Sequence, residues 1–341
     1  MKKLLIFIIG FLSIKTISDS GAFKEINPHY SGKCKKIIDI SGPEDITILK
    51  NGLALISSDD RRATLKGVPV QGHIYSYNLN DKYPKLNILT SNINFEFHPH
   101  GIAVYEKEQS VLVFVVNHRT EENTIEIFHL SNNKLIYQKT LRDPLLISPN
   151  DIVAINDNQF YVTNDHGSSS KLSQLFEDYL QLSRSNVLYF DGNFFNIVVS
   201  NLKYANGINL NNDKTKIYIA ETTGRRISIY NRKELTNELI FEESIYLKSG
   251  VDNIEIDNEN NLWIGSHPQV LKFVKHAKDE KYDSPSQVMK IIVSEEDNHV
   301  IEEIYLDGGN ELSGSSVAAT YKNILLIGAV FEDCFLFCHN N

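Results

Sequence analysis

Six pairs of polar residues recur along the chain: Glu44-Asp45, His100-Gly101, Asn150-Asp151, Asn206-Gly207, Asp252-Asn253 and Ser315-Ser316, spaced about 54 residues apart on average. Each opens the same local pattern: an alternating run, a short turn, then an apolar run ending in polar residues, as in NDIVAINDNQFYVTND from Asn150. A lone Asn or Asp at such a place is an ordinary turn residue. Recurrence at equivalent places is different, because equivalent starts face one axis and form a ring. That ring holds hard oxygen donors with one imidazole and no thiolate. Such a donor set suits Ca²⁺, which takes about 6–8 oxygens in irregular geometry; Mg²⁺ keeps more of its waters and fits less well. His100 opens the second copy and His118 closes the same hairpin, so the two can stand on neighbouring strands. A neutral imidazole there can take a proton from water. No covalent route competes: the chain has no G-x-S-x-G elbow and no Ser or Cys with an obvious paired base.

The elements that must position these residues follow from the repeat. Ile, Val and Tyr alternate with polar residues on both sides of Asn- and Asp-rich turns, which is hairpin chemistry. Further strands follow several hairpins, at His73 to Leu79, Thr124 to Leu130 and Arg226 to Tyr230. Four strands per unit at roughly 50-residue spacing predict a β-propeller. The expected fold is therefore all-β, a six-bladed propeller with four-stranded blades around a central channel, and one or two short helices over its top face. The clearest helix is Lys171 to Leu182, where Leu172, Leu175, Phe176 and Tyr179 fall at helical spacing. It reads as a cover for the channel mouth, a substrate wall or a surface that docks on a membrane. The expected organisation is a leader over residues 1–20 and a single propeller domain over 30–341.

Composition narrows the partners. With 42% hydrophobic and 23% charged residues the chain is neither disordered nor fibrous. A formal net charge of −9 argues against nucleic acid, since little would be gained by displacing counterions from phosphates. Lys2 and Lys3 precede the apolar run Leu4 to Ile14, which reads as a secretory leader and is too short to cross a bilayer as a helix. It is either cleaved near Ser18 or Ser20 or retained as an anchor. Both readings place the protein in the secretory route, and retention would make it membrane-associated. No N-x-S/T sequon occurs, so N-glycosylation is not expected.

The stretches SGPEDITILKNGLALISS, HPHGIAVY, VVNHRT, SPNDIVAI, FYVTNDH, YANGINL, VDNIEID, LWIGSHP and LLIGAVF run in order from about residue 34 to the C-terminus. Together they resemble the paraoxonase and arylesterase family, secreted calcium-dependent esterases and lactonases built on a six-bladed propeller. The resemblance implies two Ca²⁺ ions stacked in the channel. The catalytic ion would be held by Glu44, Asn150, Asn206, Asp252 and Asn253, and the structural ion by Asp45, Asp151 and the backbone carbonyl of Ile102. It assigns His100 and His118 to a dyad, with His100 nearer the water. Asp165, His166 and His267 are placed as pocket lining. Successive strand residues point to opposite faces, so two ion levels require irregular backbone at the strand starts. The family's closing disulfide would join Cys34 to Cys338, with Cys334 as the competing partner. Ser266 replaces the family's free cysteine, and the loop Asp59 to Gly72 departs from the vertebrate pattern.

The expected activity is hydrolysis of aryl esters or lactones, with phosphotriesters as a further substrate class, by water that His100 activates beside a carbonyl polarised by Ca²⁺. Two readings compete with it: a calcium-stabilised propeller that binds a partner through its top face without catalysis, and a sugar-lactone hydrolase with one divalent ion.

Overall fold

A computed structural model describes residues 14–108, 110–294 and 298–339. Its strands form six antiparallel sheets, and in five of them four strands run outward in chain order. The innermost strands are Pro43–Ile48, Pro99–Lys107, Pro149–Ala154, Ala205–Leu210, Gly250–Ile256 and Ser315–Tyr321, so every polar pair opens an innermost strand. The fold is a six-bladed propeller. The last blade is completed from the front of the chain. Lys33–Ile38 pairs with Cys334–His339, and His29–Tyr30 adds a fifth strand to the fifth blade.

Closure is covalent. Cys34 lies directly opposite Cys338 and is bonded to it, while Cys334, opposite Ile38, is a buried free thiol. The loop spans 304 residues. In the chain-entropy account such a crosslink stabilises by on the order of 5 kcal/mol.

The core consists of six apolar layers, each between two neighbouring blades. Val153, Tyr161 and Val187 of the third blade meet Ile208, Ile217 and Ile219 of the fourth, and equivalent clusters fill the other five seams. Alternation explains this: each strand buries residues on both faces, one toward each neighbouring blade. The channel is left for the polar strand starts.

The expected helix runs Lys171–Leu180, ending before Leu182 because Gln181 turns left-handed (φ 52°). Ser170 caps its start by accepting from the Ser173 N–H. Two more short helices, Arg61–Leu65 and Val270–Lys278, and a helical stretch at 14–19 exceed the one or two expected. Arg61–Leu65 is only five residues long, although Asp60 caps its start by accepting from the Ala63 N–H. Val270–Lys278 has no side-chain cap at its start and so lacked an ordinary start signal.

Candidate active site

Backbone irregularity marks every innermost strand start. In all six innermost hairpins the register shifts at the polar pair: Pro43/Asp45, Pro99/Ile102, Pro149/Ile152, Ala205/Ile208, Val251/Ile254 and Ser315/Val317. A bulge re-aims consecutive side chains. Crowding explains the second residue of His100-Gly101. A Cβ on Gly101 would stand 2.5 Å from the Asp151 Cα, so only glycine lets the next blade's start approach.

Glu44, His100, Asn150, Asn206, Asp252 and His267 line one cavity of about 380 Å³ at the helix-covered end of the channel. Its walls are apolar, from Leu175, Tyr179, Tyr204, Val270, Phe273 and Phe331. The floor is buried: Glu44 is 1% exposed and Asn253 2%. Each amide there is held by its nitrogen. Asn150 Nδ2 donates to Asp165 Oδ2 (3.2 Å), Asn206 Nδ2 to Thr222 Oγ1 (3.1 Å) and Asn253 Nδ2 to Glu44 Oε1 (2.8 Å). Their Oδ1 atoms, with Glu44 Oε2, are buried without a hydrogen-bond partner. Buried acceptors left unsatisfied are costly and call for a ligand. Burial alone would raise the Glu44 carboxyl, but the charge and hydrogen bond that a protonated His100 would supply, with Arg61 and Asn253, bring it down to about 2.

The two histidines adjoin: His100 Nδ1 and His118 Nε2 are 2.8 Å apart. The hydrogens follow from the next shell. Asn123 gives its Nδ2 to the Leu146 and Ile147 carbonyls, so its Oδ1 accepts from His118 Nδ1, 2.8 Å away. Neutral His118 therefore presents a bare Nε2, which accepts from His100 Nδ1–H. That leaves the lone pair of His100 on Nε2, 3.5 Å from Glu44 Oε1 and on the cavity. Burial, with the charge His100 would carry, pulls the His118 imidazole down to about 4, which keeps it neutral.

His267 lies on the wall, stacked on Phe273 with centroids 3.8 Å apart, and its Nε2 meets Asp252 Oδ2 at 2.8 Å. Burial raises the Asp252 carboxyl and His267 opposes the rise. Asp165 and His166 stand one layer back. His166 sits between Asp165 (2.6 Å) and Asp178 (3.0 Å), edge-on to Tyr204, and Asp165 holds Asn150.

The lower level is a separate cavity of about 180 Å³ that Asp45, Ile102, Asp151 and Glu255 help to line. Asp45 Oδ2 accepts from the Ile102 N–H of the next blade (2.7 Å), and Asp151 Oδ2 from Ile208 N–H (2.8 Å). Burial pushes both carboxyls well up, and their mutual repulsion adds to it for Asp45. Among the described residues no three His, Cys, Asp or Glu side chains form a metal cluster. The ring instead mixes carboxylates with amide oxygens.

Three site residues were not read from the sequence. Arg61 reaches within 3.6 Å of Glu44 Oε2; its only signal was a charge-rich loop. Asn123 and Glu255 carried none: Asn123 acts through a histidine, and Glu255 has the pattern of an ordinary polar strand residue.

A family model described as Arylesterase matches residues 25–339. The chain is 35% identical over 332 residues to serum paraoxonase/arylesterase 2 of Gallus gallus, covering 93% of this chain and 91% of that protein. It is equally 35% identical over 330 residues to serum paraoxonase/arylesterase 1 of Homo sapiens, with the same coverage of 93% and 91%. Among solved structures, a luciferin-regenerating enzyme superposes with a TM-score of 0.57 at 12% identity, covering 90% of this chain and 95% of that one. That likeness concerns the fold alone.

Proposed function

The chain belongs to the arylesterase family and is a hydrolase of ester bonds, and from that premise we propose that the ring cavity is its active site, hydrolysing carboxylic esters and lactones with His100 as general base. The observation that carries the reading is the chain from Asn123 through His118 to His100, which turns one basic nitrogen toward the cavity. A water there attacks the carbonyl carbon while its proton passes to His100 Nε2. The imidazolium that forms is stabilised by Glu44 beside it and by its hydrogen bond to His118. As the carbon–oxygen bond to the leaving group breaks, the proton returns to that oxygen.

The donor set fits Ca²⁺. Glu44, Asn150, Asn206, Asp252 and Asn253 would hold one ion, and Asp45, Asp151 and the Ile102 carbonyl a second. Four buried oxygens without a hydrogen bond, those of Asn150, Asn206, Asn253 and Glu44, support the first. The second is supported by two carboxylates buried together, with no cationic side chain among the described residues to offset their charge. A bound upper ion would polarise the carbonyl and stabilise the oxyanion.

Phenyl acetate and a δ-lactone assayed with and without a calcium chelator test this. Both rates should vanish in chelator and return with Ca²⁺, with a fall in melting temperature, because binding to the native state is folding free energy. No hydrolysis of either substrate in the presence of Ca²⁺ would overturn the function. Unchanged melting in excess chelator would overturn the two-ion reading.

The leader and the disulfide support secretion. Among the described residues no helix is long and apolar enough to cross a membrane. Leu172, Leu175 and Phe176 of the Lys171–Leu180 helix are exposed, a face suited to a lipid surface. Vesicle co-sedimentation of the intact protein, lost in Leu172→Ser with Phe176→Ser, checks that association.

A further inference from the structure

The segment that follows the apolar leader is built into the cavity. Thr16, Asp19 and Ser20 line it beside Glu44 and His100. The segment bridges the two helices that form the apolar walls. Thr16 Oγ1 donates to the Tyr179 carbonyl (2.8 Å), and Lys15 Nζ to Gln181 Oε1 (2.7 Å), at the end of the Lys171–Leu180 helix. On the other side the Ser20 carbonyl accepts from the Val270 N–H at 2.8 Å. That bond has a specific role. Gln269 gives the Val270–Lys278 helix no side-chain cap, and the first N–H groups of a helix need external acceptors. Ser20 therefore caps a helix about 250 residues away in sequence.

Two further contacts hold the segment. Asp19 Oδ1 accepts from Arg225 (2.9 Å), and Gly21, at φ +72°, lies so close to the Pro268 carbonyl that a Cβ there would be 2.0 Å from it. The helix so capped carries Phe273, which stacks on His267, the partner of Asp252. Thr16, Asp19 and Ser20 thus share one cavity with the apolar side chains of Leu175, Tyr179 and Val270.

Resting on the ester-hydrolase reading above, we propose that Thr16–Ser20 is a wall of the substrate cavity and sets its preference for esters with a long apolar tail. It follows that this stretch stays with the working enzyme. Cleavage near Ser18 or Ser20 would cut through the wall, so removal of the apolar leader would have to occur upstream of Thr16.

Gly21→Ala is the direct test, because the added Cβ must push the segment and the Pro268 carbonyl apart. With p-nitrophenyl octanoate, KM should rise about tenfold, as expected when roughly two methylenes lose their buried contact. With p-nitrophenyl acetate, whose tail does not reach the wall, kcat and KM should stay within about twofold. Asp19→Ala, which frees Arg225, should move the octanoate-to-acetate ratio in the same direction and serves if Gly21→Ala does not fold. Equal effects on both esters, or none on either, would overturn the wall. So would a purified active protein whose intact mass lacks residues 14–21. Wild type inert toward both esters would instead sink the hydrolase reading, so the two failures are distinguishable.

Discussion

Two histidine clusters border the same cavity, and their neighbours hold them in opposite charge states. His118 faces an amide oxygen and a second imidazole. Burial and the charge His100 would carry outweigh the Asn123 hydrogen bond and bring it down to about 4. His166 is also buried, which alone would lower it, yet hydrogen bonds to Asp165 and Asp178 raise it to about 10. Partner chemistry, more than burial, decides whether an imidazole relays a proton or serves as a fixed cation. Neutral His118 is suited to accept from His100. The cationic one ties the Lys171–Leu180 helix to Asp165 and, through it, to Asn150.

The sharpest way to break this comparison is His100→Gln. General-base assistance is worth about 10²–10⁴-fold, so kcat for a lactone should fall by that much while the calcium dependence of melting persists. Activated aryl esters should lose less, since a good leaving group asks less of the base. Full lactonase activity in the variant would remove His100 from catalysis.

The next effect is on stability and separates the clusters by pH. A histidine raised to about 10 in the native state and near 6.5 when unfolded stabilises the fold fully below pH 6.5. That contribution is lost as pH rises from 6.5 through 10. A histidine lowered to about 4 has the opposite sign: its neutral form is favoured above 6.5, and stability falls as pH drops toward 4. His166→Gln should therefore cost about 2 kcal/mol at pH 6, from charged hydrogen bonds, and the deficit should shrink by pH 10 in thermal melts. Its kcat at neutral pH should exceed that of His100→Gln at least tenfold. A pH-independent deficit would mean that His166 is not held as a cation.

How much of this was legible differs between the clusters for a physical reason. The ring was readable because a propeller repeats its innermost strand start, so Glu44, Asn150, Asn206 and Asp252 announced one another. His100 and His118 were readable as the two ends of one hairpin. Asp178 was not, since it reaches His166 from a helix whose apolar face was its only pattern. Asn123 was not, because an Asn at a strand start is an ordinary residue until its acceptor is counted. Val270–Lys278 was missed because its cap is the Ser20 carbonyl, and a backbone group contributed from across the fold leaves no trace in the local sequence.

A smaller effect probes the relay from its middle. His118→Gln still offers His100 Nδ1–H an acceptor, though less well placed, so kcat should fall only about tenfold, within the range for an outer partner. A loss equal to that of His100→Gln would make His118 the base and reverse the order of the dyad.

The smallest effect sits one residue further out. Asn123 touches neither the cavity nor the ring; its Oδ1 fixes which nitrogen of His118 carries the hydrogen. In Asn123→Ala that constraint is lost, and His118 can place its hydrogen on Nε2. His100 must then accept through Nδ1, which puts its own hydrogen on Nε2 and removes the lone pair from the cavity. Two tautomers of comparable energy would share the population, and a difference of about 1.4 kcal/mol would make it ten to one. The expected loss in kcat is therefore about two- to tenfold, with KM unchanged because no group facing the substrate has moved. Asn123→Asp separates the tautomer from the cavity that alanine leaves. Its carboxylate still accepts from Nδ1, so the rate at pH 8 should recover, while its charge favours protonated His118 and the rate should drop more steeply below pH 6. Recovery at neither pH would mean that Asn123 acts through packing, and the neutral state of the dyad would then rest on burial alone.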